Sequence, residues 1–378
     1  MPRLLHLADL HLGWVPRDLP ASVAEARRAA RDALLDEAVA LAVSERVHAV
    51  MIVGDLFETF DPAADLVRSV RAALERLVAA GIAVITLPGN HDELTYGDSV
   101  YRREAGRWPG VLVREPMPAH VTSLTLADAT VHVHGLAYVG GVTDVANALA
   151  SLPARSQEGA HVFMAHGTLV HGLGSAHEER SLPLPRAALA AAGYDYVALG
   201  HVHQGSAQHL GGSLAVYPGC VGGKGFDDPG SAAWTLVEIT AGGARSWQRP
   251  LQGQALRDVR LDVSDCDDEA AVIEALEDLI AGFPGDVVRV RLSGALPAAL
   301  DADELAARCL ADTAYLRVED HTTEVSPALL DAWSASPTVR GDFVRRLRDR
   351  LEASQDEAER TRLVRALRFG LDALGAGR

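Results

Sequence analysis

Apolar and polar positions follow two alternating rhythms in the first part of the chain. Short apolar, β-branched runs read as buried strands: "LLHLA" at Leu4–Ala8, "AVMIV" at Ala49–Val53 and "IAVITL" at Ile82–Leu87. Between them, apolar residues recur at helical spacing. The stretch "AEARRAARDALLDEAVALAV" (Ala24–Val43), rich in Ala, Leu, Arg and Glu, predicts one long helix. Another opens near "DPAADLVRSV", with Pro62 in its first turn. Strand–helix–strand–helix–strand is the order of an α/β layered fold. Farther on, "TVHVHGLAYV", "HVFMAHG", "YDYVALGH" and "LAVYPG" add strands with fewer helices between them, and "AWTLVEI" closes the series. A second β layer is expected from this.

The texture changes near Leu251. "VRLDV", a helix around "DEAAVIEALEDLIAGF", "VVRVRL", a helix around "DADELAARCLA" and "YLRVE" make a small βαβαβ unit. From Ser326 the pattern is helical to the end. Three domains are therefore expected: a layered domain at 1–250, a capping domain at 251–320 and a helical tail at 321–378. In the tail, Phe343, Val344, Leu347 and Leu351 share one helical face, as do Leu363, Val364, Leu367, Leu371 and Leu374. The polar "ASQDEAE" between them suggests a hairpin. Arg345, Arg346, Arg348 and Arg350 decorate its first helix, where the plain reading is a solvated face.

Composition narrows the function classes. With 48% hydrophobic residues in 378, the chain can bury a substantial core. A formal net charge of −16 argues against coating nucleic acid by bulk electrostatics. The cysteines, Cys220, Cys266 and Cys309, are scattered and form no CxxC, so neither a disulfide framework nor a zinc knuckle is expected and a reducing cytoplasm is the natural home. The opening "MPRLLHLADLHLG" does not read as a signal peptide, and no run is long enough for a membrane-spanning helix. Lys224 is the sole lysine, and Asn90 and Asn147 are the sole asparagines. This bias suits a GC-rich genome and lends weight to the Asn in "GNHD" and the Lys in "GGKG".

Candidate chemistry sits where the strands end. "LLHLA" is followed by Asp9 and His11, "AVMIV" by Asp55, "IAVITL" by Asn90, His91 and Asp92, "HVFMA" by His166, and "YDYVAL" by His201 and His203. Any one of these could be an ordinary turn; five strand ends carrying metal-competent groups are not required by loop chemistry. In α/β folds such ends converge on one crevice. Asp9, His11, Asp55, Asn90, His166, His201 and His203 exceed what one tetrahedral ion needs and fit two divalent cations, with Asp55 the natural bridge. Oxygen and imidazole donors without thiolate favour manganese, iron or zinc over magnesium or calcium. Two such ions can activate water and stabilise displacement at phosphorus. His91 is then expected to act on the phosphate as a catalytic group, with Asp92 holding its ring.

"DLHLG", "GDLF", "GNHDE", "AHG" and "GHVHQG", in this order, resemble the calcineurin-like metallophosphoesterases over about the first 240 residues. The "LLHLADLHLG" opening is similar to SbcD-type DNA-repair exonucleases, and "VVRVRLSG", "LRVED" and "GDFVRRL" to their YhaO-like branch. The resemblance implies a four-layer α/β/β/α sandwich and a di-manganese site on the seven ligands. It also implies a homodimer acting on DNA beside an SMC-like ATPase of the SbcC/YhaN type, docked on the helical tail. Two departures stand out. Glu58 occupies a place where some relatives carry a His tied to processing of DNA ends, and "CVGGKG" replaces a Pro and an Arg after "YPG". Lys224 is accordingly a candidate for a phosphate contact, beside the reading of a solvated lysine. His171 and His177 read as loop residues, and His132 and His134 as one packed strand face. The expected function is a two-metal DNA nuclease, exonuclease or endonuclease. The alternatives are a phosphodiesterase of small molecules or phosphoproteins, and a non-catalytic scaffold subunit of an ATPase complex.

Overall fold

Strands buried on both faces form the centre of the first sheet of the computed structural model. β1 (Arg3–Leu7), β2 (Ala49–Val53), β3 (Ala83–Leu87) and β4 (Val111–Leu112) run parallel, and all of β2 is buried. The second sheet contains β5 (Ala119–Thr125), β6 (Thr130–Gly135) and β7 (Ala160–His166). After the short pair β8 (Thr168–Val170) and β9 (Pro183–Pro185), it continues with β10 (Tyr196–Gly200), β11 (Ser206–Leu210) and β12 (Ser213–Tyr217). β13 (Ala233–Thr240) and β14 (Gly243–Pro250) return to the first sheet, giving the orders β14-β13-β1-β2-β3-β4 and β11-β12-β10-β7-β6-β5. The structure describes residues 1–126, 129–140, 152–153, 155, 158–171, 181–240, 243–296, 300–309 and 312–374.

Alternation along β7 shows how the layers stack. Val162 and Met164 join a core shared with β1, β2 and β3, while Phe163 and Ala165 join a second core on the other face. After α1 (Ala21–Asp32), helices α2 (Leu34–Ser44) and α3 (Ala64–Ala79) pack into the core of the first sheet. After α4 (Val100–Glu104), α5 (Arg186–Ala192) places Leu189 in the second core. The result is the expected α/β/β/α order. Leu74 of α3 is fully buried, so truncating it to Ala should cost about 2–5 kcal/mol.

The single helix expected over Ala24–Val43 is two, parted at Ala33. The two halves bury different things. α2 presents Leu34, Leu35, Ala38, Val39 and Ala42, whereas α1 buries Ala24, Arg27 and Arg31. Those arginines point at loop carbonyls, a task that needs another direction than the sheet does.

By contact the chain divides into Met1–Ala255 and Leu256–Arg378. The second unit holds parallel β15 (Leu256–Asp262) and β16 (Val287–Ser293), the short β17 (Ala295–Leu296), then β18 (Tyr315–Asp320) and the short β19 (Thr323–Glu324). Helices α6 (Glu269–Ile280) and α7 (Ala302–Arg308) supply the crossovers, capped by Asp268 and Asp301, whose carboxylates accept amides of the first turn. This is the expected βαβαβ pattern. The terminal helices α8 (Pro327–Ser334), α9 (Val339–Ala353) and α10 (Glu357–Ala373) lie in the same unit. Val344, Leu347, Leu363, Leu367 and Leu371 bury together with Ala295 and Val325, and Arg368 donates to the carbonyls of Ser264 and Cys266. The outward arginines of α9 are paired with acids: Arg346 with Asp342, and Arg348 with Asp331.

Candidate metal centre

Parallel pairing places the ends of β1, β2 and β3 side by side, and those of β7 and β10 beside one another. The chain turns sharply at these ends. Among described residues the non-glycine positive-φ positions are Asp9 (54°), His11 (46°), Arg46 (52°), Asp55 (50°) and His201 (99°). All but Arg46 are predicted ligands. Side chains in this region carry a conformational cost of order 1–3 kcal/mol each, a cost tolerated where geometry matters. Glycines clear the floor. A Cβ on Gly54 (φ 82°) would strike the His166 ring, and one on Gly89 would strike the Asp55 carboxylate.

All seven predicted ligands come together. His11 Nε2 lies 3.0 Å from His203 Nε2 and 3.7 Å from Asp55 Oδ2. His166 Nε2 lies 3.4 Å from the same Asp55 oxygen and 3.0 Å from Asn90 Oδ1, which also sits 3.0 Å from His201 Nδ1. Asp9 accepts the His201 amide through both oxygens at 3.0 Å. Asp55 thus lies between two sets, one with His11 and His203 and one with Asn90, His166 and His201. Asp9, His11 and His203 bring their ligand atoms together, as do Asp9, Asp55 and His166.

The outer ring nitrogens are tied as well. His166 Nδ1 meets the Val53 carbonyl at 2.9 Å, His203 Nδ1 meets the Asp228 carboxylate, and His11 Nδ1 meets Glu58 Oε2 at 2.9 Å. With the outer nitrogen engaged, the inner one is presented as a lone pair, the usual arrangement of an imidazole that binds metal. Two such lone pairs facing each other at 3.0 Å require a proton or a cation between them. On this ground the donor set fits divalent metal.

The electrostatics point the same way. Burial pushes the Asp9 carboxyl up to about 6, partly offset by His166. Burial also opposes charge on Asp55, but His166, His11 and His91 outweigh it and hold that carboxyl well below its ordinary range. For His166 burial disfavours the proton, yet Asp55 and then Asp9 raise it to about 9. Burial lowers His11 to about 4 against the pull of Glu58. The crevice therefore recruits positive charge, a role that a bound cation would take over.

Asp92 departs from its expected role. Its buried carboxylate accepts the amides of Gly89 (2.7 Å), Phe57 (3.2 Å) and Asp55 (3.3 Å) and the Tyr101 hydroxyl (2.8 Å). Adjacent residues of a turn point apart, so Asp92 braces the loops from below while the His91 ring turns outward. The ring meets Glu58 instead, 3.0 Å from its carbonyl and 3.5 Å from its carboxylate. Lys224 is not a solvated lysine. Its Nζ lies 2.7 Å from Glu58 Oε2, 3.4 Å from His11 Nδ1 and 4.2 Å over the Trp14 ring. Arg27 and Arg31 donate to the carbonyls of Gly222 and Gly223, fixing the loop that carries it. Glu58, Asp228, Arg27 and Arg31 carried no sequence signal of such roles beyond Glu58 standing where relatives have His. His171 is exposed, and His177 lies outside the described residues.

The pattern of the calcineurin-like phosphoesterases matches residues 2–205. Among similar proteins, the "Uncharacterized metallophosphoesterase YhaO" of Bacillus subtilis is 24% identical over 306 residues, covering 76% of this chain and 70% of that one. The SbcD component of the SbcCD nuclease of the same organism is 25% identical, covering 66% and 69%. "DNA double-strand break repair protein Mre11" of Methanopyrus kandleri is 28% identical over 235 residues, covering 57% of this chain and 48% of that protein. With its strand-end motifs, the paired histidine–carboxylate sets and a match over more than half its length, the chain belongs to the calcineurin-like phosphoesterase family, hydrolases of phosphoesters that use a dimetal centre.

Proposed function

We propose that this phosphoesterase is a DNA nuclease, an exonuclease or endonuclease of DNA repair, that cuts phosphodiester bonds at a pair of divalent cations. The observation that carries the reading is a difference in exposure. The imidazoles of His11 and His166 are 0% and 1% exposed, whereas that of His91 is 32% exposed beside them. His203, at 24%, is tied at Nδ1 by Asp228, so the most open of these four rings, His91, is the one placed to meet a phosphate. The likeness to the SbcCD nuclease and to Mre11 supports DNA as the substrate.

In this reading Asp9, His11 and His203 hold one cation, Asn90, His166 and His201 the other, and Asp55 is shared. Mn2+ is the proposed ion, with Fe2+ or Zn2+ suited to the same donors. When bound, the pair supplies Lewis-acid polarisation at phosphorus and an acidified water. The protein's own groups do the rest. Asn90 adds a neutral oxygen between the His166 and His201 rings. Asp92 braces the loops. His91 donates a proton to, or stabilises charge on, the leaving oxygen.

The further expectations remain part of this proposal: a cytoplasmic homodimer beside an SMC-like ATPase of the SbcC/YhaN type, bound through α9 and α10. Among described residues no helix is long and apolar enough to cross a membrane. Arg346 and Arg350, 77% and 64% exposed, are the docking residues to reverse. Arg346→Glu with Arg350→Glu should abolish co-purification with the ATPase and leave hydrolysis of a small ester intact.

The main test incubates purified protein and Mn2+ with linear duplex DNA, single strands and bis-p-nitrophenyl phosphate. Degradation of DNA is the expected result. Hydrolysis of the small ester alone would assign a phosphodiesterase of smaller substrates, and bound metal without hydrolysis a non-catalytic scaffold.

A further inference from the structure

Glu58 touches more of the centre than its place in the sequence suggests. It follows β2 in "GDLFE", and its amide is fixed to the Leu12 carbonyl at 3.0 Å, so its backbone is registered to the strand end bearing His11. Its Oε2 lies 2.9 Å from His11 Nδ1 and 2.7 Å from Lys224 Nζ. Its carbonyl lies 3.0 Å from His91 Nδ1. The His11 and His91 rings stand edge to face, 4.7 Å between centroids. One residue thus meets both the imidazole assigned to metal and the one left open to substrate.

We propose that Glu58 is a positioning residue for His11 and His91 and that Lys224 serves as its counter-charge, not as a phosphate contact. The inference rests on the metal centre proposed above. A carboxylate at His11 Nδ1 selects the tautomer that turns the Nε2 lone pair inward, as Asp228 does for His203. It also adds a fourth acid to a pocket that already holds Asp9, Asp55 and Asp228, and Lys224 offsets that charge. The lysine is held for this purpose. Its ammonium lies over Trp14, its carbonyl accepts Trp14 Nε1 at 2.8 Å, and its side chain is 11% exposed. A lysine kept for incoming phosphate would gain from an open approach; this one is closed in by an acid, an imidazole and an indole.

The charges make an ordered prediction. Glu58→Gln removes the carboxylate and leaves an uncompensated ammonium 3.4 Å from His11 Nδ1, so Mn2+ binding should weaken most, by about 10–100-fold at one of two sites. Lys224→Met removes only positive charge, so Mn2+ should bind at least as tightly as in the wild type. The double variant should bind Mn2+ more tightly than Glu58→Gln alone, because the repelling ammonium is gone. Calorimetric titration of the metal-free protein with Mn2+ reads all three, and thermal melts check that each is folded.

Losses that add in the double variant, or wild-type Mn2+ affinity in Glu58→Gln, would overturn the assignment. So would a Lys224→Met protein with normal Mn2+ binding whose affinity for DNA falls and whose salt dependence flattens by about one unit, the mark of a lost phosphate contact. Failure of the centre itself looks different: a wild-type protein that takes up no Mn2+ removes the metal site and this inference together.

Discussion

Two histidine clusters occupy the first unit, and they behave in opposite ways. In the crevice, Asp55 and Asp9 outweigh burial and raise His166 to about 9. Across the second sheet, His120, His132, His134 and His161 crowd together, with the rings of His134 and His161 stacked at 5.3 Å. There burial and the neighbouring imidazoles push His134 down to about 4. The ring nitrogens of this outer group meet the Ser123 hydroxyl, the Glu158 carbonyl and one another, and the buried His134 Nδ1 has no hydrogen-bond partner among the described residues. Among the described residues, no three of its ligand atoms converge as those in the crevice do. A concentration of histidine is therefore not a site. Carboxylates between the rings, and partners behind them, make the difference.

The largest break in this contrast should come from Asp55→Ala. Without the shared oxygen the crevice becomes a second collection of imidazoles, and both metal content and hydrolysis should fall to near background. Elemental analysis showing full occupancy, with normal rates, would remove Asp55 from the bridge. His91→Ala comes next. Turnover should drop by about 10²–10⁴-fold, the usual worth of a positioned acid or base, while metal stays bound. Loss of metal along with turnover would make His91 a ligand.

Asp92→Ala should act through stability. Four donors lose a buried acceptor, which should cost about 3 kcal/mol or more in denaturant unfolding. An unchanged midpoint would contradict the bracing role. The smallest effect belongs to the outer cluster. His134→Phe should leave metal content and turnover unchanged and alter only the acid limb of stability. His134 is held neutral with its folded value near 4, below the unfolded value near 6.5. The unfolded chain then binds the extra proton, so this contribution is complete above about pH 6.5 and is lost as pH falls toward 4. Melting curves across that window should flatten in the variant; an identical slope would mean His134 does not titrate there.

Strand-end chemistry is legible in the sequence because β-strands bury almost everything, so a polar group just past a run of Val, Ile and Leu is conspicuous. Asp9, Asp55, His166 and His201 stand out this way, and the alternation of His132 and His134 marks the packed face on which both are buried. What escapes notice depends on direction, not type. Asp92 sits beside His91 in the chain yet points to the opposite side. Arg27 and Arg31 look like surface helix residues until a loop more than 190 positions later lays its carbonyls over them. Asp228 and Glu58 become legible only through the imidazoles they meet. The break at Ala33 falls in a run of good helix formers, where propensity alone offers no reason to stop.

The left-handed turns at Asp9, His11, Asp55 and His201 set durability against activity. Each would relax as Gly, the residue most at ease with positive φ, and each such change would delete a metal-competent side chain. A population of variants selected for heat resistance alone should therefore accumulate Gly at these positions first. It would drift toward a longer-lived and inert protein whose sheets, cores and second unit remain intact.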